Sequence, residues 1–527
     1  MLAACSDGGS SGGSTLPPPP PPPPPPGGTG PTWTEGVFEP ASRFKDRCEV
    51  VRTGVDIEGN PFPDMPGSML EEMFWLRSWT HETYLWNDEV IDRNPADFGD
   101  RLEYFALLRT FATTLSGRDK DEFHFTIPTD EFLRQRNSTP RAEYGAELAI
   151  FSATPPRDVR VLYTEPGSPA AEVVGGQINL PRGTRILEVD GVDLVNANTQ
   201  AEIDILNNGL FPATAGEQHT FVVRDAGAAS TRTVTLISEN IAPKPVNLTS
   251  VVDTPGGKVG YMLLTTFSPF ASEKDIADAI AAMRADGVQD LVLDLRYNSG
   301  GLLAVASQLG YMIAGEARTS GRVFERLRFN DDAGDLNPVT GQFNEPVPFF
   351  DEGLGFSLPA GQPLQSLDLP RVFILSTEIT CSASEAVLNA LRGIDLEVVL
   401  IGGATCGKPF GFFPQDNCGV TYFTIQFQGV NDKGFGDYAD GFSPENSSAA
   451  FAVKVPGCEI SDDLGSALGD ENEPMFAAAL AYRETGACPT SAMAFSASSS
   501  SVKESGASPM LPGRSVFETN RDMRMPN

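Results

Sequence analysis

Val288-Gln289-Asp290-Leu291-Val292-Leu293-Asp294-Leu295 is an almost continuous apolar run, the pattern of a strand covered on both faces. The segments around it repeat that theme. Lys258–Leu264 reads as a strand. Ser272 offers an N-cap to a helix whose Ile276, Ile280 and Met283 share one face, with Gly287 just past its end. Downstream, Gly301–Ala314 reads as helix, Arg371–Ser376 as strand, Ser382–Leu391 as helix, Glu397–Ile401 as strand and Val420–Phe427 as an alternating strand. Strand and helix in alternation from about Val251 to Gly486 predict an α/β fold with a mostly parallel core sheet. It is interrupted between Glu316 and Pro370 by a Gly/Pro/Phe-rich insertion with hairpin-like runs at Val323–Phe329 and Pro346–Phe350.

Two further blocks precede this one. Gly67 to Leu115 reads as helical, with Leu70, Met73, Phe74, Leu76 and Trp79 on an apolar face; the aromatics Phe74, Trp75, Trp79, Tyr84 and Trp86 are read as core. From about Ala142 to Ile241 the chain is β-rich, with runs at Leu148–Phe151, Val159–Leu162, Arg185–Val189, Phe221–Val223 and Thr233–Ile237, and a short helix expected at Gly167-Ser168-Pro169. The N-terminus is a tether: Ser6–Ser14 is Gly/Ser-rich, and Pro17–Pro26 is ten consecutive prolines, a polyproline II spacer of about 31 Å. The tail from Pro489 is Ser/Ala-rich and expected to be disordered.

The 527 residues hold 70 Asp+Glu against 38 Lys+Arg, a net charge of −32 that argues against nucleic-acid binding and against polybasic adhesion to anionic lipid. Only nine of the cations are Lys. His81, His124 and His219 lie far apart, so neither a multi-histidine metal site nor a Ser-His-Asp triad is easily built, and no metal or cofactor is expected. A histidine-poor hydrolase needs another base. Ser376-Thr377-Glu378-Ile379-Thr380-Cys381-Ser382-Ala383-Ser384-Glu385 puts hydroxyl residues between a buried strand and a helix, and the next strand leads into Gly402-Gly403-Ala404-Thr405-Cys406-Gly407-Lys408. A right-handed β-α-β crossover brings both segments to one sheet edge, so Ser382 and Lys408 can meet there. A lysine acts as a base only when neutral, which requires burial, and Pro409-Phe410-Gly411-Phe412-Phe413-Pro414 supplies apolar surroundings. On spacing alone, Ser382 as a helix cap and Lys408 as a solvated loop cation fit equally well.

Asp294-Leu295-Arg296-Tyr297-Asn298-Ser299-Gly300-Gly301, then Cys381-Ser382-Ala383-Ser384-Glu385, then Gly407-Lys408-Pro409 together resemble the three-part signature of the S41 peptidases, the tail-specific or carboxyl-terminal processing proteases. Glu165-Pro166-Gly167-Ser168-Pro169-Ala170-Ala171 followed by Gly183-Thr184-Arg185-Ile186-Leu187-Glu188-Val189-Asp190-Gly191 resembles a PDZ domain. Met1-Leu2-Ala3-Ala4-Cys5 resembles the lipobox of bacterial lipoproteins, which implies a lipid on Cys5 and six remaining cysteines in an oxidising compartment.

The resemblance implies a ClpP/crotonase-like protease core with an inserted β-rich PDZ domain and an N-terminal helical domain. The corresponding boundaries are lipobox and tether 1–35, helical domain 36–130, PDZ-like domain 142–241, protease core 251–486 with insertion 316–370, and tail 489–527. It implies Ser382 as nucleophile, with Ser384 its competitor, and Lys408 as general base. Backbone N–H groups of Gly300, Gly301 and Ala383 would form an oxyanion hole, and Asp294 and Arg296 would hold the strand end. Many relatives carry a Gln one helical turn beyond the Lys; Phe412 stands there, with Gln415 or Asp416 as substitutes. Glu385 is expected to orient the helix or the dyad, Cys381 to be structural, and Cys406 to pair with Cys418. Tyr144, Gly145, Ala146, Glu147 and Leu148 are the expected peptide-binding loop and strand, which would take the C-termini of protein substrates. The whole reads as a serine endopeptidase of the cell envelope, periplasmic or anchored at a bacterial outer membrane through lipid alone. The alternative is a non-catalytic peptide-binding scaffold that retains this fold.

Overall fold

The computed structural model describes residues 30–489 and two further strand pieces, Ser508–Pro509 and Arg521–Asp522. Cys5, the tether through Pro26 and most of the tail lie outside the described residues. No helix among the described residues is long and apolar enough to cross a membrane.

Helix α1 (Met69–Thr83) starts where the Ser68 hydroxyl accepts the Glu71 N–H, and it buries Met73, Phe74, Trp75, Leu76 and Trp79. The expected continuation to Leu115 does not form. The chain turns extended at Tyr84, and only single turns follow, at Asn87–Glu89, Pro95–Asp97 and Arg101–Phe105. Pro95 and Gly99 interrupt any longer helix. This region is a layer of the main body rather than a separate helical domain: strand β1 (Phe125–Pro128) pairs with Val420–Phe423. Tyr84, Phe123 and Ile127, together with Phe132 of helix α2 (Thr129–Arg136), pack on Phe410, Phe412, Phe423 and Ile425.

Residues 142–241 form an antiparallel sheet of β2 (Ala146–Ser152), β3 (Asp158–Thr164), β4 (Arg185–Val189), β5 (Gln218–Arg224) and β6 (Arg232–Ile237), in spatial order β6-β5-β4-β3-β2. Each of the five β-rich runs falls inside one of these strands. The helix expected at Ser168 is instead a pair of turns. The Ser168 hydroxyl donates to Gly145 O and the Ala170 N–H to Tyr144 O, so the segment is tied to the loop before β2. Helix α3 (Gln200–Leu210) starts at a capping box of Thr199 and Glu202.

The core sheet runs β7 (Val246–Thr254), β8 (Gly257–Leu264), β9 (Asp290–Asp294), β11 (Arg371–Ser376), β12 (Glu397–Gly402) and β16 (Gly457–Glu459) in that spatial order; only the β7/β8 hairpin is antiparallel. Its alternate residues serve two cores, as the apolar run at 288–295 required. Leu291, Leu293, Val372, Ile374, Val398 and Leu400 face helices α4 (Ala271–Ala285), α5 (Leu303–Ala314) and α6 (Ala383–Gly393). Val292, Phe373, Leu375, Val399 and Ile401 face helix α7 (Pro474–Thr485). In the insertion, β10 (Val323–Arg328) pairs with Val347–Pro348 and with β15 (Phe427–Val430), and β15 pairs with β13 (Phe410–Gly411), directly after Lys408-Pro409. Phe349, Phe356, Leu358, Leu364 and Leu369 join the main core, and the Glu273 carboxylate accepts the N–H groups of Leu354, Ser357 and Leu358. The insertion thus buttresses the strand that leaves the Lys loop.

Three disulfides join Cys48 to Cys418, Cys381 to Cys406 and Cys458 to Cys488. The expected Cys406–Cys418 bridge is therefore wrong. Cys418 sits at the tip of a hairpin between Gln415–Asn417 and β14 (Val420–Phe423), where Cys418 and Gly419 both have positive φ as a two-residue turn demands. That tip meets Cys48 at a Cα separation of 5.4 Å. Cys406 instead runs beside the turn before α6, its N–H donating to Thr380 O, 5.2 Å from Cys381 between Cα atoms.

Candidate active site

Parallel pairing of β11 with β12 ends with Ser376 opposite Gly402, so both strands release their chains at the same edge. From β11 the chain makes a short turn fixed by Thr380, whose hydroxyl donates to Leu295 O, and by the Cys381 N–H, which donates to Asn298 O. It then enters α6 through Ser382, at φ 58° and ψ −112°. A non-glycine residue in that region is strained by about 1–3 kcal/mol and persists only where its surroundings over-determine it. Ser382 is completely buried.

From β12 the chain passes through Thr405, Cys406 and Gly407 to Lys408. Gly407 has φ +88°, and a Cβ there would lie 2.3 Å from Ala439 O, so glycine alone fits. Lys408 is fully buried, its Nζ 4.5 Å from the ring centroids of both Phe123 and Phe412. Phe412, at the position where a Gln was considered, therefore forms a wall of the lysine's pocket. Asp416 accepts from Thr129 and Arg52 in the N-terminal layer. Gln415 lies in the Gln415–Asn417 strand of the hairpin.

Glu385 joins the two segments. One carboxylate oxygen accepts the Ser382 N–H at 2.9 Å and the Lys408 N–H at 2.8 Å; the other accepts the Gly407 N–H at 2.9 Å and the Thr405 hydroxyl at 2.6 Å. Burial pushes the Glu385 carboxyl above its usual range, against the pull of these four donors. The Cys381–Cys406 bridge makes a second, covalent clamp across the same gap. Cys381, Glu385 and Cys406 also cluster as a three-member group of ligand-type side chains, but both sulfurs belong to the disulfide and neither is a thiolate.

The third segment follows β9. Asn298 accepts on its carbonyl from the Cys381 N–H and from the Ser384 hydroxyl at 3.0 Å, while its side-chain oxygen takes the Gly300 N–H at 2.9 Å. Ser384 is thus committed to a carbonyl, and the Gly300 N–H to Asn298. Gly301, φ +134°, packs so closely that a Cβ would lie 2.2 Å from Ser268 N. Asp294 and Arg296 hold the strand end as expected, within a buried ion cluster: Arg296 binds Asp294, Glu473 and Asp462, and Arg182 from residues 142–241 shares Asp462 at 2.6 Å. The histidines are occupied elsewhere. His81 stacks on Phe38, His124 bonds Phe105 O and Thr424, and His219 pairs with Asp190.

Beyond this cluster, Tyr144, Ala146 and Leu148 line a cavity of about 460 Å³ together with Leu210, Phe211 and Phe221. Gly145 has φ +73°, with a Cβ there meeting Ser168 at 2.3 Å, so it shapes the loop. Glu147 lies on the other face of β2 and does not line the cavity. Sequence reasoning missed Asn298, Thr405 and Phe123; of these, only Asn298 carried a signal, as an amide between a strand end and a Gly-Gly pair.

Residues 258–413, from β8 through the Lys408 loop, match the profile of Peptidase family S41. The chain is 28% identical over 245 residues to carboxyl-terminal-processing peptidase 2, chloroplastic, of Arabidopsis thaliana, covering 44% of this chain and 42% of that protein. It is 29% identical over 290 residues to a carboxyl-terminal-processing protease of Picosynechococcus sp., covering 55% and 60%. The chain thus spans between two-fifths and two-thirds of the length of these relatives. A crystal structure assigned to an S41 protease from Bacteroides fragilis superposes with a TM-score of 0.58 at 22% identity over 78% of this chain and 97% of that one, a likeness of fold. Residues 258–413, which carry both Ser382 and Lys408, are thus similar to the S41 peptidases, and the wider chain is similar to carboxyl-terminal processing proteases.

Proposed function

We propose that the chain is a serine endopeptidase with a Ser382–Lys408 dyad. The observation that carries this reading is the Glu385 carboxylate gripping the backbone of both residues at once. A neutral Lys408 takes the Ser382 Oγ proton as Oγ bonds to the scissile carbonyl carbon, and the oxyanion is held by the N–H groups of Gly301 and Ala383. Collapse breaks the C–N bond, and the leaving amine takes the proton from the lysine ammonium. Water, deprotonated by the Lys408 amine, then attacks the ester carbon; the C–Oγ bond breaks, the proton passes from the lysine to Ser382 Oγ, and the enzyme is restored. Lys408 is completely buried, the setting that a lysine base requires.

Residues 142–241 act in this reading as a PDZ-like domain. It receives an extended peptide along β2, with Tyr144 and Gly145 at the end of the groove and Ala146 and Leu148 contacting alternate side chains. Substrates are unfolded or C-terminally presented proteins. The three disulfides favour an oxidising, extracytoplasmic compartment, with Cys5 as the lipid anchor. Digestion of unfolded casein by the wild type, Ser382→Ala and Lys408→Ala tests the dyad. Cleavage by the wild type alone is expected; equal cleavage by all three, or by none, rejects it.

A further inference from the structure

The groove along β2 is not left to external peptides. Within residues 142–241 β2 is the edge strand, whose outward N–H and C=O groups attract a further strand. Ser508–Pro509 of the chain's own tail adds there, antiparallel, with Ser508 opposite Ile150 and Pro509 opposite Ala149. Its antiparallel sense sets the Pro509 end of this piece on the side of Leu148, Ala146 and the Tyr144-Gly145 loop. Farther along, Arg521–Asp522 pairs in parallel with Gly301–Leu302, beside the proposed oxyanion donor. The same tail therefore pairs at both ends of the route a substrate would take.

Two adjoining cavities lead from one pairing toward the other. The cavity along β2 shares Glu131 and Arg141 with a neighbouring cavity of about 130 Å³, which reaches Thr266 and Ser268 on either side of Phe267. Phe267 in turn bridges Gly301. Twelve residue steps separate Pro509 from Arg521, up to about 40 Å of extended chain. Charge agrees with docking. From residue 489 onward the tail holds four cations (Lys503, Arg514, Arg521, Arg524) and three acids (Glu504, Glu518, Asp522). The rest of the chain has 34 cations against 67 acids. The root of the tail is fixed by the Cys458–Cys488 bridge to β16.

We propose that the tail, through Ser508–Pro509 and Arg521–Asp522, is an intramolecular occupant of the peptide groove, a competitor in cis that external chains must displace. The inference rests on reading β2 as a peptide-binding edge, but not on cleavage. A tethered segment acts at an effective concentration of about millimolar, so modest intrinsic affinity suffices. The test uses a labelled synthetic peptide of residues 505–527 as probe and three Ser382→Ala proteins: the 527-residue chain, the same chain with residues 505–527 scrambled, and a chain ending at Pro489. The peptide should bind the scrambled and shortened proteins at least about tenfold more tightly than the unaltered one. If truncation disturbs folding, the scrambled chain still decides. Equal binding to the unaltered and scrambled chains, or none to either, overturns the proposal. Because no protein in the set has Ser382, the outcome is independent of whether the wild type cuts casein.

Discussion

The pocket around Ser382 and Lys408 and the groove along β2 are built on opposite principles. In the pocket, every element is constrained more than once: a positive-φ serine, a glycine-only turn, a carboxylate with four donors and a disulfide act on some two dozen residues of chain. In the groove, one edge strand and an apolar cavity of about 460 Å³ offer backbone pairing with few fixed partners. Chemistry at a single bond needs atoms held in place, whereas capture of varied sequences needs main-chain recognition with room for side chains. The contrast implies that damage to the pocket lowers turnover and damage to the groove lowers affinity.

The largest effect is expected at the dyad: Ser382→Ala and Lys408→Ala should each reduce kcat/KM on an unfolded protein by about 10⁴-fold or more. A loss confined to KM would break the contrast. Glu385→Gln is next, since it sets an amide N–H₂ against backbone donors. It should cost about 2–3 kcal/mol in urea unfolding, with kcat falling far more than KM rises. Cys381→Ala/Cys406→Ala should lose about 3 kcal/mol and lower kcat about tenfold, with KM unchanged. Ala146→Trp, which fills the groove, should raise KM about tenfold with kcat intact; a kcat effect would mean the two regions are not separable.

The smallest effect concerns pH. Burial holds His124 below its ordinary range, with Asp121 and the bond to Phe105 opposing, so the folded chain binds that proton less readily than the unfolded one. Its contribution is present above the ordinary histidine value and is lost as pH falls below it. The urea midpoint should therefore drift downward between pH 7 and 5, and His124→Gln should flatten the drift.

The core was legible in the sequence because burial on both faces writes continuous apolar runs, and the reactive segments sit where those runs end. Arg371–Ser376 matched its strand residue for residue, and the segments bearing Ser382 and Lys408 met at one sheet edge. The cysteine pairing was not legible, since it depends on a hairpin tip that carries Cys418 away from the Lys loop to Cys48. The stop at Tyr84 has no helix breaker beside it in the sequence; Pro95 and Gly99 lie further on and only keep a second long helix from forming. Thr199 and Glu202 carried a capping signal that went unused. Glu385 was expected to orient the helix or the dyad, but its partners were not legible, because its bonds to Thr405, Gly407 and Lys408 exist only once the two strands are paired.

Labelling with a serine-directed fluorophosphonate, read by intact mass and peptide mapping, tests the dyad most directly. The wild type should carry a single adduct on Ser382, Ser382→Ala none, and Lys408→Ala a rate reduced by several orders of magnitude. An adduct on Ser384, or labelling of Ser382 at full rate without Lys408, would contradict the account.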